Sequence, residues 1–165
     1  MCIRDRDNTA NRNPARLAWL QWWNALSFLT RLPCPTVAPV PLGQAAWAFP
    51  VAGFAVGCVG AGAMAGAQAL GLGALPAAAI ATAILVWLTG ALHEDGLADC
   101  ADAFGLPRSA EHTQAILKDP RMGAFGVAAI TLSLILRVAL AAEAGPLGLL
   151  AAETISRAAM AGIMA

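Results

Sequence analysis

"PVAGFAVGCVGAGAMAGAQAL", residues 50–70, carries no charge and a single strongly polar side chain, Gln68. As a helix rising 1.5 Å per residue it would cover roughly 30 Å, the depth of a bilayer's hydrocarbon core. Pro50 suits the first helical turn, where its missing N–H leaves nothing unsatisfied. Gly53 with Gly57, and Gly62 with Gly66, are small residues four apart, a spacing that lets a neighbouring backbone approach closely. The stretch is predicted to be a membrane span, and that reading sets the class of the whole chain.

The surrounding composition agrees. The 165 residues are 59% hydrophobic and only 12% charged, with no tyrosine and a formal net charge of zero. Soluble domains carry about 25% charged residues, so lipid is the expected solvent for much of this surface. A neutral chain lacks the basic surface that nucleic-acid binding requires, so no nucleic-acid partner is expected. Cys2, Cys34, Cys58 and Cys100 are scattered without a C-x-x-C pair, and are read as isolated reduced thiols rather than a disulfide or zinc framework.

Further spans are expected over about Pro76–Leu92 and Val127–Ala142, and a fourth from about Leu147, after "EAGPLG" turns the chain. The second and third are short and need help from flanking residues or a thinned bilayer. Upstream, "ARLAWLQWWNALSFLTRLP" (15–33) has a helical stripe of Leu17, Leu20, Trp23 or Trp22, Leu26 and Phe28. Its tryptophans favour the headgroup level, predicting an interfacial helix. The proline-rich "RLPCPTVAPVPLG" ends it.

Residues 1–13, beginning "MCIRDRDNTANR", are polar and aperiodic and do not form a signal peptide. They are expected to be a disordered or artefactual head. Residues 14–165 are expected to be one membrane domain, truncated at its C-terminus because "ETISRAAMAGIMA" stops within an apolar helical pattern. The fold class is therefore all-α: a polytopic integral membrane helical bundle with an N-terminal interfacial helix and a cytoplasmic helical loop carrying an acidic motif.

Basic residues set the orientation of that bundle. Arg12, Arg16 and Arg31 precede the first span, while Arg108, Lys118 and Arg121 lie between the second and third. The other two turns carry no basic residue. The N-terminal segment and the 93–125 loop are accordingly placed in the cytoplasm.

The acidic motif is "LHEDGLADCADAFG", residues 92–105. If 95–104 is helical, Asp95, Asp99 and Asp102 fall within about 60° of one another, at about 100° per residue. Leu97, Cys100, Ala101 and Phe104 take the opposite side. Neighbouring like charges repel, and no Lys or Arg lies between 93 and 107. A divalent cation would relieve the repulsion, and Mg²⁺ is held by one or two carboxylates together with water and phosphate oxygens. Asp95, Asp99 and Asp102 are thus the candidate metal ligands, against the plainer reading of a solvated acidic loop. His93 lies nearly opposite them if the helix begins before it; should Gly96 break the helix, a proton-transfer or phosphate-contact role stays open. Glu94 falls off the aspartate face, in a supporting or structural role.

Downstream, "KDPRMGAFG" (118–126) sets Lys118 and Arg121 around Asp119, before Gly123 and Gly126. Cations beside backbone N–H groups suit a phosphate or pyrophosphate, although positive-inside flanking charge explains them as well. Arg31 could join them. Arg137, Glu153 and Arg157 are charges within apolar segments, which are costly and usually paired. Glu153 and Arg157 stand four apart; they form either a polar cleft between spans or a structural ion pair, with Arg137 snorkelling to the outer surface.

Together "FLTRLPCP", "FPVAGFAVG", "LTGALHEDGLADCADAFG", "ILKDPRMGAFGV" and "ETISRA" resemble the cobalamin synthase family, in order, over about residues 25–160. The pairing of "HEDGLADCADAFG" with "KDPRMGAFG" is the specific part; Ala103 stands where the family commonly has glycine. The resemblance implies a Mg²⁺-dependent, multi-pass transferase of the bacterial inner membrane. It would join the cobinamide phosphate of adenosylcobinamide-GDP to alpha-ribazole or its phosphate, releasing GMP. The partners implied are those two substrates and the lipid bilayer, with a homo-oligomer or a complex with other cobalamin-assembly enzymes left open. For that reaction the chemistry of the residues makes His93, Asp95 and Asp99 the catalytic candidates, with one aspartate or His93 accepting the hydroxyl proton. On the same reading Lys118, Arg121 and Arg31 bind substrate phosphate, and Glu94, Asp119 and Arg157 support them.

Two rivals stand beside it. A CDP-alcohol phosphotransferase-like lipid enzyme also spaces aspartates along membrane helices, but its pattern has an Ala-Arg pair after D-G that "DGLADCAD" lacks. A divalent-cation transporter would carry its acids within the spans rather than at the end of one.

Overall fold

The computed structural model describes residues 13–105, 110–116 and 121–164, and every regular element among them is helical. The elements are α1 (Pro14–Leu29), α2 (Leu42–Ala45), α3 (Phe49–Ala69), α4 (Ala74–Thr89), α5 (Leu92–Phe104), α6 (Ala110–Ile116) and α7 (Ala124–Met164), with a 3₁₀ turn, Ala46–Ala48, before α3. Two stretches, Leu42–Ala69 and Ala124–Met164, are long and apolar enough to cross a membrane. The pair α4 and α5, bent by 86° at its break, would count as a third.

The chain divides into two compact units. One takes in the chain up to Gly57 together with Ala151 onward; the other is Cys58–Leu150.

In the first unit, α1 starts on Asn13, whose Oδ1 accepts from the Ala15 N–H at 3.0 Å, with Pro14 in the first turn. Its Leu26 and Leu29 bury against Ala45, Ala48, Phe49 and Ala52, while Phe28 stacks on Phe49 with ring centroids 6.1 Å apart. Two of the expected stripe residues, Leu20 and Leu26, are therefore core. Asn24 fastens the proline-rich segment: its Nδ2 donates to the Leu20 and Ala38 carbonyls at 2.8 and 3.0 Å. Such a clamp is needed because prolines supply no N–H of their own. Gly53 admits the last part of α7, where a Cβ would lie 2.7 Å from the Glu153 carbonyl oxygen. Beside it Arg157 pairs with Glu153 one turn earlier, both buried.

The second unit corrects several sequence boundaries. The second span ends at Thr89, not Leu92, because α4 closes in a two-bond C-terminal motif: Gly90 N–H to Trp87 O at 3.2 Å and Ala91 N–H to Val86 O at 2.9 Å. Gly90 and Ala91 are both left-handed, with φ of 67° and 58°, and α5 leaves at the sharp angle. The third span is not short, since α7 runs unbroken from Ala124 to Ala144, roughly 30 Å at 1.5 Å per residue. At "EAGPLG" two helices meet across a kink, where the sequence placed a turn. Only Gly145 leaves the helix, at φ 70° and ψ −176°, a region open to glycine alone, and Pro146 begins the next turn. Gly60 takes the Leu85 side chain, whose Cδ1 would lie 2.8 Å from an added Cβ. Gly62 and Gly66 face open space rather than a neighbouring backbone. Cys34, Cys58 and Cys100 are free thiols.

Candidate functional site

The acidic motif forms α5, thirteen residues long and begun at Leu92, with Glu94 and Asp95 in its first turn, where the helix dipole favours negative charge. Gly96 does not interrupt it. His93 therefore lies on the helix face away from Asp99. It is half-buried, with Nε2 shielded from solvent.

One row of α5 faces α7. Glu94 pairs with Arg137 Nη1 through Oε1. The Ala98 carbonyl oxygen would lie 3.1 Å from a Cβ on Gly126. Asp102 Oδ2 accepts from the Gly123 N–H at 2.7 Å and Oδ1 from the Gly126 N–H at 2.9 Å. Gly105 backs onto the Phe125 ring, 2.8 Å from an added Cβ. Positions 94, 98, 102 and 105 follow the helical repeat, so small residues and two carboxylates make this contact. The expected apolar side behaves otherwise: Leu97, Cys100 and Phe104 are exposed, whereas Ala98 and Ala103 are buried.

The three aspartates consequently part company. Asp95 is exposed and Asp99 half-exposed, one turn apart on the same side, and neither side chain has a hydrogen bond or ion pair among the described residues. Asp102 is turned to α7, where the first-turn N–H groups would otherwise lack acceptors. Among the described residues no three His, Cys, Asp or Glu side chains converge to hold a metal ion. Asp95 with Asp99 is still a donor set that suits Mg²⁺, which keeps several waters and takes phosphate oxygens for the rest.

Arg121 is exposed and stands two residues before Gly123. Lys118 and Asp119 lie outside the described residues. Arg31, exposed, and Arg157, buried on Glu153, belong to the first unit. The sequence reading placed the Gly123 and Gly126 N–H groups toward a phosphate, but Asp102 takes both. Of the two sequence readings for Arg137, a polar cleft or snorkelling to the outer surface, neither named the partner it has, Glu94. Half of the signal for that pair was present: Arg137 is a charge within an apolar segment and needs a partner, while Glu94 is hidden among other charges. An open groove between α4 and α7, about 550 Å³ and lined by Leu75, Pro76, Leu134 and Val138, is wholly apolar and unsuited to a diphosphate.

A model of the family described as cobalamin-5-phosphate synthase matches residues 21–165, which include α5 and the turn before α7. The chain belongs to this family. A relative from Azorhizobium caulinodans, named adenosylcobinamide-GDP ribazoletransferase, is 45% identical over 148 residues, 82% of this chain and 56% of its own. The same name is borne by a Mesorhizobium japonicum protein, 48% identical over 114 residues (68% of this chain, 44% of its own). It is borne also by one from Ralstonia pickettii, 38% identical over 156 residues (89% and 59%). The chain thus spans about half the length of the curated relatives it matches. No solved structure matches it. Membership in the cobalamin-5-phosphate synthase family, with apolar helices of spanning length, makes this a membrane protein. It sets aside the lipid-enzyme and transporter readings.

Proposed function

We propose that the whole protein is an adenosylcobinamide-GDP ribazoletransferase of the bacterial inner membrane, with its N-terminus and the 93–125 loop on the cytoplasmic side. The reading rests on one observation: this chain is 45% identical, over 82% of its length, to a relative bearing that name. A ribose hydroxyl of alpha-ribazole or its phosphate attacks the cobinamide-side phosphorus. The bond from that phosphorus to the bridging oxygen breaks, GMP departs with the oxygen, and the hydroxyl proton is given up to a base.

Asp95 and Asp99 are the residues that would hold Mg²⁺. When bound, the ion supplies charge stabilisation on the diphosphate. Arg121 and Lys118 bind oxygens of the substrate diphosphate, a task suited to charge-assisted hydrogen bonds. His93, directed away from Asp99, is displaced as proton acceptor by one of the two aspartates, whose carboxylates lie on the accessible side of α5.

The test uses the full-length protein in membranes, with adenosylcobinamide-GDP and alpha-ribazole, following GMP release. Asp95→Asn and Asp99→Asn are expected to lower Mg²⁺-dependent turnover at least a hundredfold while leaving membrane insertion intact. Rates within about threefold of the parent, under about 0.7 kcal/mol of barrier, would remove the metal-holding role. Absence of GMP release by the unsubstituted protein would remove the transferase reading itself.

A further inference from the structure

Asp102 resembles its neighbours in sequence and differs from them in what it touches. Both carboxylate oxygens are engaged by main-chain N–H groups, at 2.7 and 2.9 Å, from residues 123 and 126. These belong to the start of α7, where Val127 N–H makes an intrahelical bond to Gly123 O at 3.1 Å. The N–H groups at such an end have no acceptor of their own, and a negative charge there is favoured by the helix dipole. Capping usually comes from a side chain just before the helix. Here it is delivered from another helix, more than twenty positions away in the chain.

The glycines fit this arrangement. A Cβ on Gly123 or on Gly126 would collide with the Asp102 carboxylate. Neither glycine has positive φ, so close approach, not backbone freedom, is what the two positions require. The row through Glu94, Ala98 and Gly105 holds Asp102 toward α7, while Asp95 and Asp99 remain on the accessible side.

We infer that Asp102 is a positioning residue and not a metal ligand: it locks the turn carrying Arg121 to α5. The separation between the carboxylate side of α5 and the cationic turn is thereby fixed. The inference rests on the proposed transferase only for the purpose it gives that separation, which is to seat a diphosphate between a metal-holding side and a cationic side. Asp102 acts through the turn and touches no reacting atom.

The experiment uses the full-length protein in detergent, with Mn²⁺ as the metal probe. In the unsubstituted protein labelled with ¹⁵N-glycine, the Gly123 and Gly126 amides should exchange with solvent at least tenfold more slowly than the unprotected glycine amides of turns. Asp99→Asn should weaken Mn²⁺ binding at least tenfold. Asp102→Asn and Gly126→Ala should each leave it within about threefold, but raise the KM for the nucleotide-linked substrate at least tenfold with kcat little changed.

Fast exchange at both glycines overturns the inference, and that measurement needs no variant. So does Mn²⁺ affinity that falls as far in Asp102→Asn as in Asp99→Asn. Were Asp99→Asn without effect on Mn²⁺, the metal-holding reading would fail, while glycine exchange would still decide the role of Asp102.

Discussion

Glu94 and Arg137, forty-three positions apart, form an ion pair that ties the first turn of α5 to α7. Glu94 is only 7% exposed, whereas the Arg137 side chain keeps 34% of its surface open. Taking away one partner strands the other charge, a loss larger than the pair's net worth. Partial exposure moderates it on the arginine side.

Arg137→Leu should therefore destabilise the folded state by about 1–3 kcal/mol, read as a lowered midpoint of thermal unfolding in detergent. Glu94→Leu with Arg137→Leu should recover most of the loss, because no charge is then buried alone. A double variant as unstable as the sum of its singles would mean the two residues act separately.

The glycines of α3 should separate into two kinds. Gly53→Val places a branched side chain against the Glu153 carbonyl and the Arg157 Cβ, and should cost about 1–3 kcal/mol. Gly62→Ala and Gly66→Ala meet nothing within 4 Å, and each should gain up to about 1 kcal/mol from helix propensity. Unfolding midpoints of the three single variants check both halves of the statement.

Two backbone positions carry opposite expectations. Gly145, at φ 70° and ψ −176°, occupies a region that a Cβ makes costly, so Gly145→Ala should lose about 1–3 kcal/mol. Ala91 already bears a Cβ at φ 58°, a strain of roughly 1–2 kcal/mol. Ala91→Gly relieves it and gives back about 0.5–1 kcal/mol in unfolded-chain entropy. The expected result is a gain of up to about 1 kcal/mol, with Ala91→Val falling below the parent. Parallel denaturation of the three variants tests the signs.

Much of the architecture follows from local pattern. The apolar run at 50–70 was readable as a helix because nothing in it needs water, and the α3 boundaries of Phe49 and Ala69 lie within a residue of that reading. The start of α1 held a signal the sequence reading did not use: Asn13 caps the helix and Pro14 occupies its first turn. What composition could not disclose was the elbow after Thr89, since Gly90 alone looks like an ordinary helix stop and Ala91 is not a residue that advertises a left-handed backbone. The site divided along the same line. Helical spacing placed three aspartates on one side, but only the chain's return through Gly123 and Gly126 engages Asp102 and leaves the other two accessible. Spacing reports angle around an axis; it is silent on which neighbour arrives there.

The elbow has a consequence for what mutation can do to this protein. Its angle is held by main-chain bonds from Gly90 and Ala91 back into α4, so the exposed side chains of α4 can vary while its residue count cannot. One residue inserted there would advance α5 by about 1.5 Å and swing it through about 100°, carrying the paired acids off their side. Insertions and deletions between Ala74 and Thr89 should be far less tolerated than substitutions.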